Sequence, residues 1–208
     1  MIKEIKHIWY ASYGSNILES RFHCYIAGGK PNGSSKTYIG CSDKTLPEEK
    51  EDIIIKSELY FAKKSKSWNN GGVAFINPNF DDNKETLARM YLITTEQFID
   101  VIKQEINNNG ELNIDFERVI KNGSLTFKEK SWYGEILYLG NQNEHPIFTF
   151  TNEKYLTDFV NPPSIEYLKV IINGLKETYN MNDIEINEYF KNKLGIQGFE
   201  IENELKEK

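Results

Sequence analysis

The sequence predicts an α+β fold, a small mixed or antiparallel curved sheet or β-barrel with flanking helices. Three observations lead there. Short segments rich in β-branched and aromatic residues, separated by turn residues, dominate the first three quarters of the chain. One amphipathic helix interrupts them at residues 94–106, and helical periodicity otherwise gathers at the end, over 164–179 and 182–194. Strands that follow one another directly favour antiparallel pairing, whereas a doubly wound parallel sheet alternates strand and helix throughout.

Residues 5–11 hold Ile5, Ile8, Trp9 and Tyr10, a strand that ends at the turn Tyr13-Gly14-Ser15-Asn16. Either Ser15 or Asn16 can cap the helix that follows, and Asn16 with Glu19 has capping-box spacing. Residues 27–51 carry Gly28, Gly29, Pro31, Gly33 and Pro47 and read as irregular, mobile surface chain; Gly28 followed by Gly33-Ser34 lacks the lysine of a phosphate loop. Strands are expected at 53–63, 72–77 and 86–93, the first two joined by a turn through Trp68 and Gly72, and again at 132–140 and 146–151. Pro162 and Pro163 mark the start of the 164–179 helix.

The helix at 94–106 begins with Thr94 and Gln97 in capping-box spacing. At about 100° per residue, Phe98, Ile99, Val101, Ile102 and Ile106 fill one arc. Glu105 falls within that arc, four residues after Val101 and three after Ile102. An ionised carboxylate in an apolar stripe costs several kcal/mol, so a partner, a pocket or protonation must compensate. The negative end of the helix dipole raises its pKa further, which suits a general acid/base. The alternative is a frayed helix end whose acid reaches solvent ahead of the Asn107 to Gly110 turn.

Composition narrows the function. The chain has 208 residues, 39% of them apolar and 13% aromatic, enough to fold as one domain around a core. A formal charge of −6 argues against nucleic acid and anionic membrane surfaces. No apolar run approaches the ~20 residues of a membrane span, and residues 1–6 are charged with no signal-like apolar region after them, so a cytoplasmic protein is expected. Cys24 and Cys41 are read as reduced packing residues, and His7, His23 and His145 match no metal spacing.

Three local features, in order, resemble the gamma-glutamylcyclotransferase-like family, which includes the gamma-glutamylamine cyclotransferases. The first is the strand running into Tyr13-Gly14-Ser15-Asn16, with Arg21 in the short helix after it. The second is Trp68-Asn69-Asn70-Gly71-Gly72, similar to the family's Trp-x-Gly-Gly. The third is strand, helix and Gln104-Glu105, similar to the family's Gln-Glu-Gly with its catalytic glutamate. Downstream, Pro163-Ser164-Ile165-Glu166-Tyr167 with Gly174 is similar to the family's Pro-Ser-x-x-Tyr helix, whose tyrosine lines the pocket. The likeness covers about residues 7–180 of a single domain spanning 1–208, leaving a C-terminal helical extension, 181–208. Ile106 stands where the family has glycine, the 107–116 loop is longer, and Phe148 occupies a strand position where relatives can place a tyrosine.

The resemblance implies a cofactor-free enzyme that acts on a small-molecule γ-glutamyl substrate. The free α-amine of the glutamyl group attacks its own γ-carbonyl, giving 5-oxoproline and a released amine. Glu105 is then the acid/base, backbone amides of Gly14, Ser15 and Asn16 an anion clamp with Gly14 admitting close approach or positive φ, and Tyr13 and Tyr167 part of the substrate site. The competing readings are a non-catalytic small-molecule binding protein on the same fold and a protein interaction module. Oligomeric state stays open, a homodimer included.

Overall fold

The computed structural model describes residues 5–31 and 36–196. Residues 32–35 of the expected loop and 197–208 of the expected C-terminal extension lie outside the described residues. In chain order the elements are β1 (His7–Ser12), a 3-10 turn (Ser15–Ile17), α1 (Glu19–Ala27), β2 (Lys50–Ile55), β3 (Leu59–Ser65), β4 (Gly71–Ile76), β5 (Thr86–Thr94), α2 (Thr95–Glu105), α3 (Phe116–Asn122), β6 (Ser124–Thr126), β7 (Glu135–Gln142), β8 (His145–Thr151), α4 (Ile165–Tyr179) and α5 (Asp183–Phe190).

Six strands form one mixed sheet in the order β2-β5-β1-β8-β7-β6, and β3 and β4 pair separately. β1 is antiparallel to β5, with His7 opposite Thr94 and Ser12 opposite Arg89, and parallel to β8. The fold class is therefore α+β with a mixed sheet, but the barrel alternative does not form: β2 and β6 end the six-stranded sheet and do not pair with each other. Among the described residues no helix is long and apolar enough to cross a membrane.

β1 lies at the centre because its residues are apolar on both faces. Trp9 and Ala11 pack into a cluster with β3, β4, α4 and α5, while Ile8 and Tyr10 pack with α1, α2 and Val119 of α3. Alternation along the strand thus serves two cores at once. α2 starts on the expected capping box, with Gln97 N–H donating to Thr94 Oγ1 and Thr94 N–H to Gln97 Oε1, both at 3.1 Å. Its Phe98, Val101 and Ile102 are fully buried, as the helical wheel requires.

Four expectations need correction. Residues 53–63 form two strands in different sheets, because the chain turns at Ser57, whose N–H donates to Ile55 O and whose hydroxyl donates to Asn77 O. The Asn16–Glu19 capping box is absent: α1 follows Leu18 with no side-chain cap, since Asn16 belongs to the preceding 3-10 turn. The described part of residues 27–51 is irregular as expected up to β2, yet it is packed, with Tyr38 and Cys41 buried and Tyr38 bridged to Gly29. Last, the loop after α2 ends in α3, whose seven residues are too few for a period to show; Asp115 caps it by accepting from Arg118 N–H.

Candidate active site

Antiparallel pairing brings the two key segments together. β5 ends at Thr94 opposite His7, and α2 begins there, so the helix returns alongside β1. Eleven residues at 1.5 Å advance α2 by roughly 16 Å, close to the roughly 20 Å that six extended residues of β1 cover. Glu105, the last residue of α2, consequently arrives beside the turn that follows Ser12.

There Asn16 Nδ2 donates to Glu105 Oε1 at 3.3 Å. The frayed-end alternative is not what forms. Reversing the Asn16 amide would bring two oxygens together, so the carboxylate fixes its orientation. Asn16 is 3% exposed, and among the described residues no protein donor reaches its buried Oδ1. Both residues line a cavity of about 170 Å³ together with Tyr13, Gly14, Ser15 and Tyr167.

The other side of Glu105 is held by α1. The Tyr25 hydroxyl lies near enough to the carboxylate to favour its charged form and donates to Tyr38 Oη at 3.1 Å, and Arg21 Nη2 donates to Tyr38 Oη at 2.7 Å. Arg21 is 5% exposed and its guanidinium sits 5.0 Å from the Trp68 ring and 5.5 Å from that of Tyr38. Glu105 keeps an opening to the cavity while protein surrounds its carboxylate. Burial pushes the Glu105 carboxyl above its ordinary range, against the opposing pull of the Tyr25 hydroxyl, Arg21, Lys36 and Asn16. Desolvation outweighs the nearby cations.

Tyr167 reaches the same cavity from α4, where Ser164 caps the helix. Its hydroxyl accepts from Ala74 N–H at 3.1 Å, and the Ser15 amide is directed at it as well. Burial pushes the phenol up to about 12, so it stays protonated at neutral pH. The turn whose amides are the expected anion clamp thus shares its cavity with the Tyr167 hydroxyl. Gly14 has φ −102°, so its glycine is explained by close approach alone; a Cβ there would stand 3.3 Å from Tyr167 Oη. Tyr13 is buried and donates to Phe150 O at 2.8 Å.

Two glycine positions shape the site from behind. A Cβ on Gly174 would meet Ile17 and come 2.6 Å from Leu18 N, so this glycine lets α4 press on the 3-10 turn. Gly71 and Gly72 are packed against the backbone of Asn161 to Ser164, and Gly72 N–H donates to Pro162 O at 2.7 Å. Their role is therefore structural, and Trp68 is the member of that motif in the cavity wall. Phe148 is fully buried against Phe98, Phe116 and Tyr138, outside the cavity lining, where Tyr133 and Phe150 take part instead.

Glu105, Tyr13 to Asn16 and Tyr167, the residues the sequence singles out, line one cavity in the structure. Sequence reasoning overlooked Tyr25, Tyr38 and the Asn16 side chain. Tyr25 stands four residues after Arg21, on the same helical face, and that spacing was a usable signal; Tyr38 lies in irregular chain, where periodicity says nothing. Among the described residues no group of three or more His, Cys, Asp or Glu is placed to hold a metal ion.

No protein-family model matches this chain. It is 35% identical over 201 residues to histone deacetylase 5 of Arabidopsis thaliana, an alignment covering 88% of this chain and 30% of that protein. The chain thus spans under a third of the length of the curated relative it matches. Among solved structures, a gamma-glutamyl cyclotransferase superposes with a TM-score of 0.50 at 17% identity, covering 90% of this chain and 88% of the other. An uncharacterized human protein gives a TM-score of 0.47 at the same identity and coverage. The strand order, the turn after β1 and the likeness to the solved cyclotransferase lead to one conclusion: this chain has the gamma-glutamyl cyclotransferase-like fold.

Proposed function

We propose that this chain is a gamma-glutamyl cyclotransferase-like enzyme that converts a γ-glutamyl amino acid or amine to 5-oxoproline and the free amine. The observation that carries the reading is Glu105, a carboxyl raised by burial at the wall of a cavity and joined to Asn16 of the turn after β1. The activity in the name of the Arabidopsis relative belongs to that protein and does not enter this reading.

The chemistry needs little beyond shape and one proton carrier. A γ-glutamyl chain folded in the cavity brings its α-amine to its γ-carbonyl carbon, and such proximity contributes several kcal/mol. The α-ammonium, with a pKa of about 8, gives one proton to solvent and attacks as the neutral amine. As the new C–N bond forms, Glu105, oriented by the Asn16 amide that donates to it, takes a second proton from that nitrogen. As the tetrahedral centre collapses, the Glu105 carboxyl returns the proton to the leaving nitrogen and the C–N bond breaks. The net reaction consumes no water. A carboxyl raised toward neutrality serves both halves better than a solvated one. Arg21 supplies positive charge for the substrate α-carboxylate, and the amides of Gly14 and Asn16 are the available donors for the oxygen that becomes anionic.

The test is release of 5-oxoproline from a panel of γ-glutamyl amino acids and γ-glutamyl amines. At least one substrate should turn over, and Glu105→Gln should lose 10²-fold or more, the lower range for removing a general acid/base. Turnover unchanged in Glu105→Gln refutes the acid/base assignment, and no turnover on any substrate returns the chain to a binding role.

A further inference from the structure

Residues 36–42 form neither helix nor strand, yet they are fastened to the end of α1. Gly29 N–H donates to Tyr38 O at 3.0 Å, Tyr38 N–H to Gly29 O at 2.8 Å and Cys41 N–H to Ile26 O at 2.8 Å. Gly28 and Gly40 both have positive φ, and a Cβ on Gly40 would lie 2.6 Å from Gly28 N, so the two pieces of chain meet backbone to backbone. This fastening brings Tyr38, 5% exposed, to the wall of the cavity that Glu105 lines. Resting on the cyclotransferase reading, we infer that Tyr38 is a further substrate-binding residue, whose hydroxyl donates a hydrogen bond to an oxygen of the glutamyl group.

Counting protons gives the direction of that bond. A guanidinium only donates, and Arg21 Nη2 gives to Tyr38 Oη at 2.7 Å, while the Tyr25 hydroxyl donates to the same oxygen at 3.1 Å. Two donors on a phenol oxygen leave its own proton as the remaining hydrogen-bonding site, and among the described residues that proton has no protein acceptor. The ring is held by Tyr25, whose centre is 4.1 Å away, and by the Arg21 guanidinium at 5.5 Å, so the hydroxyl adjusts only by turning about its C–O bond. Glu105 already has a donor of its own in Asn16. An oxygen of a molecule in the cavity is the acceptor this arrangement suits.

Arg21 also sets the strength of the donor. A cation on the phenol oxygen draws charge from the O–H bond, and hydrogen bonds polarised in this way exceed neutral ones. Burial pushes the Tyr38 phenol above the ordinary tyrosine value although Arg21 opposes it, so the proton stays on the oxygen at neutral pH. A tyrosine that served the fold alone would act here as an acceptor for Arg21 and Tyr25. The two roles respond with opposite sign to phenol acidity, because a more acidic hydroxyl donates more strongly and accepts more weakly.

The experiment uses the whole chain with Tyr38→Phe, and separately with a ring-fluorinated tyrosine at that position, which keeps the hydroxyl and makes it more acidic. Release of 5-oxoproline from γ-glutamyl-alanine gives kcat and KM, and calorimetry gives the affinity of the same compound in the Glu105→Gln background, where turnover does not interfere. Tyr38→Phe should lower kcat/KM about ten- to hundredfold, the range for a hydrogen bond to a charged group. The loss falls in KM if the acceptor is the α-carboxylate and in kcat if it is the γ-carbonyl oxygen that becomes anionic. The fluorinated protein should match or exceed the parent at neutral pH, and if Tyr38→Phe does not fold, that comparison alone decides. A Tyr38→Phe protein within about twofold of the parent, or a fluorinated protein weaker than the parent, overturns the contact and leaves the enzyme standing. Affinity that falls in Tyr38→Phe while the parent turns nothing over keeps the contact and refutes the enzyme, and neither binding nor turnover overturns both.

Discussion

Gly174→Ala separates helix propensity from packing. Within α4 an alanine should stabilise by about 1 kcal/mol relative to glycine if nothing opposed it. Here the new Cβ would lie 2.6 Å from Leu18 N, about 0.8 Å inside the 3.4 Å at which ordinary contact begins, and it would also meet Ile17. Leu18 N is backbone, so no rotamer change relieves it. Either α4 withdraws or the 3-10 turn moves, and overpacking of this kind costs about 1–3 kcal/mol. The net expectation is a loss of up to about 2 kcal/mol, or up to roughly 8 °C in Tm for a chain of this size. The displaced turn carries Asn16, and misplacement approaching 1 Å lowers turnover by up to about 10²-fold. Thermal unfolding and 5-oxoproline release measure the two effects. A variant more stable than the parent with turnover unchanged refutes the idea that Gly174 sets the position of the turn.

Two further predictions follow from the same geometry. The Glu105 carboxyl is raised in the folded chain, so the fold retains its proton where the unfolded chain has released it. That contribution is full below the ordinary carboxyl value and is lost as pH rises through the folded value. Glu105→Gln escapes this loss and should gain on the parent as pH rises above the ordinary carboxyl value, by about 1.4 kcal/mol for each pH unit separating the folded and unfolded values; a parent that gains on the variant as pH rises, in Tm measurements, refutes the sign. Tyr167→Phe removes the acceptor of the buried Ala74 N–H and should cost about 1–3 kcal/mol by denaturant titration, whereas an unchanged midpoint would mean that this amide finds another partner.

Local chemistry made much of this protein legible from its sequence. The Thr94 and Gln97 cap, the buried stripe of α2 and the single acid within it follow from a 3.6-residue period, and the strands from runs of β-formers. Periodicity also marked Glu105 as out of place, because a carboxylate among Val101 and Ile102 violates the pattern whatever lies opposite. What lies opposite was decided in three dimensions. The openness of the sheet depends on which strands become edges, and no strand carries that information alone. Asn16 has the spacing of a helix cap, yet its amide turns to Glu105, a partner 89 residues away. Tyr38 reaches Arg21 and Tyr25 from chain with no period at all. Sequence patterns report each segment's preference for water or core, whereas the pairing of β1 with β5 and the pressure of α4 on the turn through Gly174 set which polar groups meet inside.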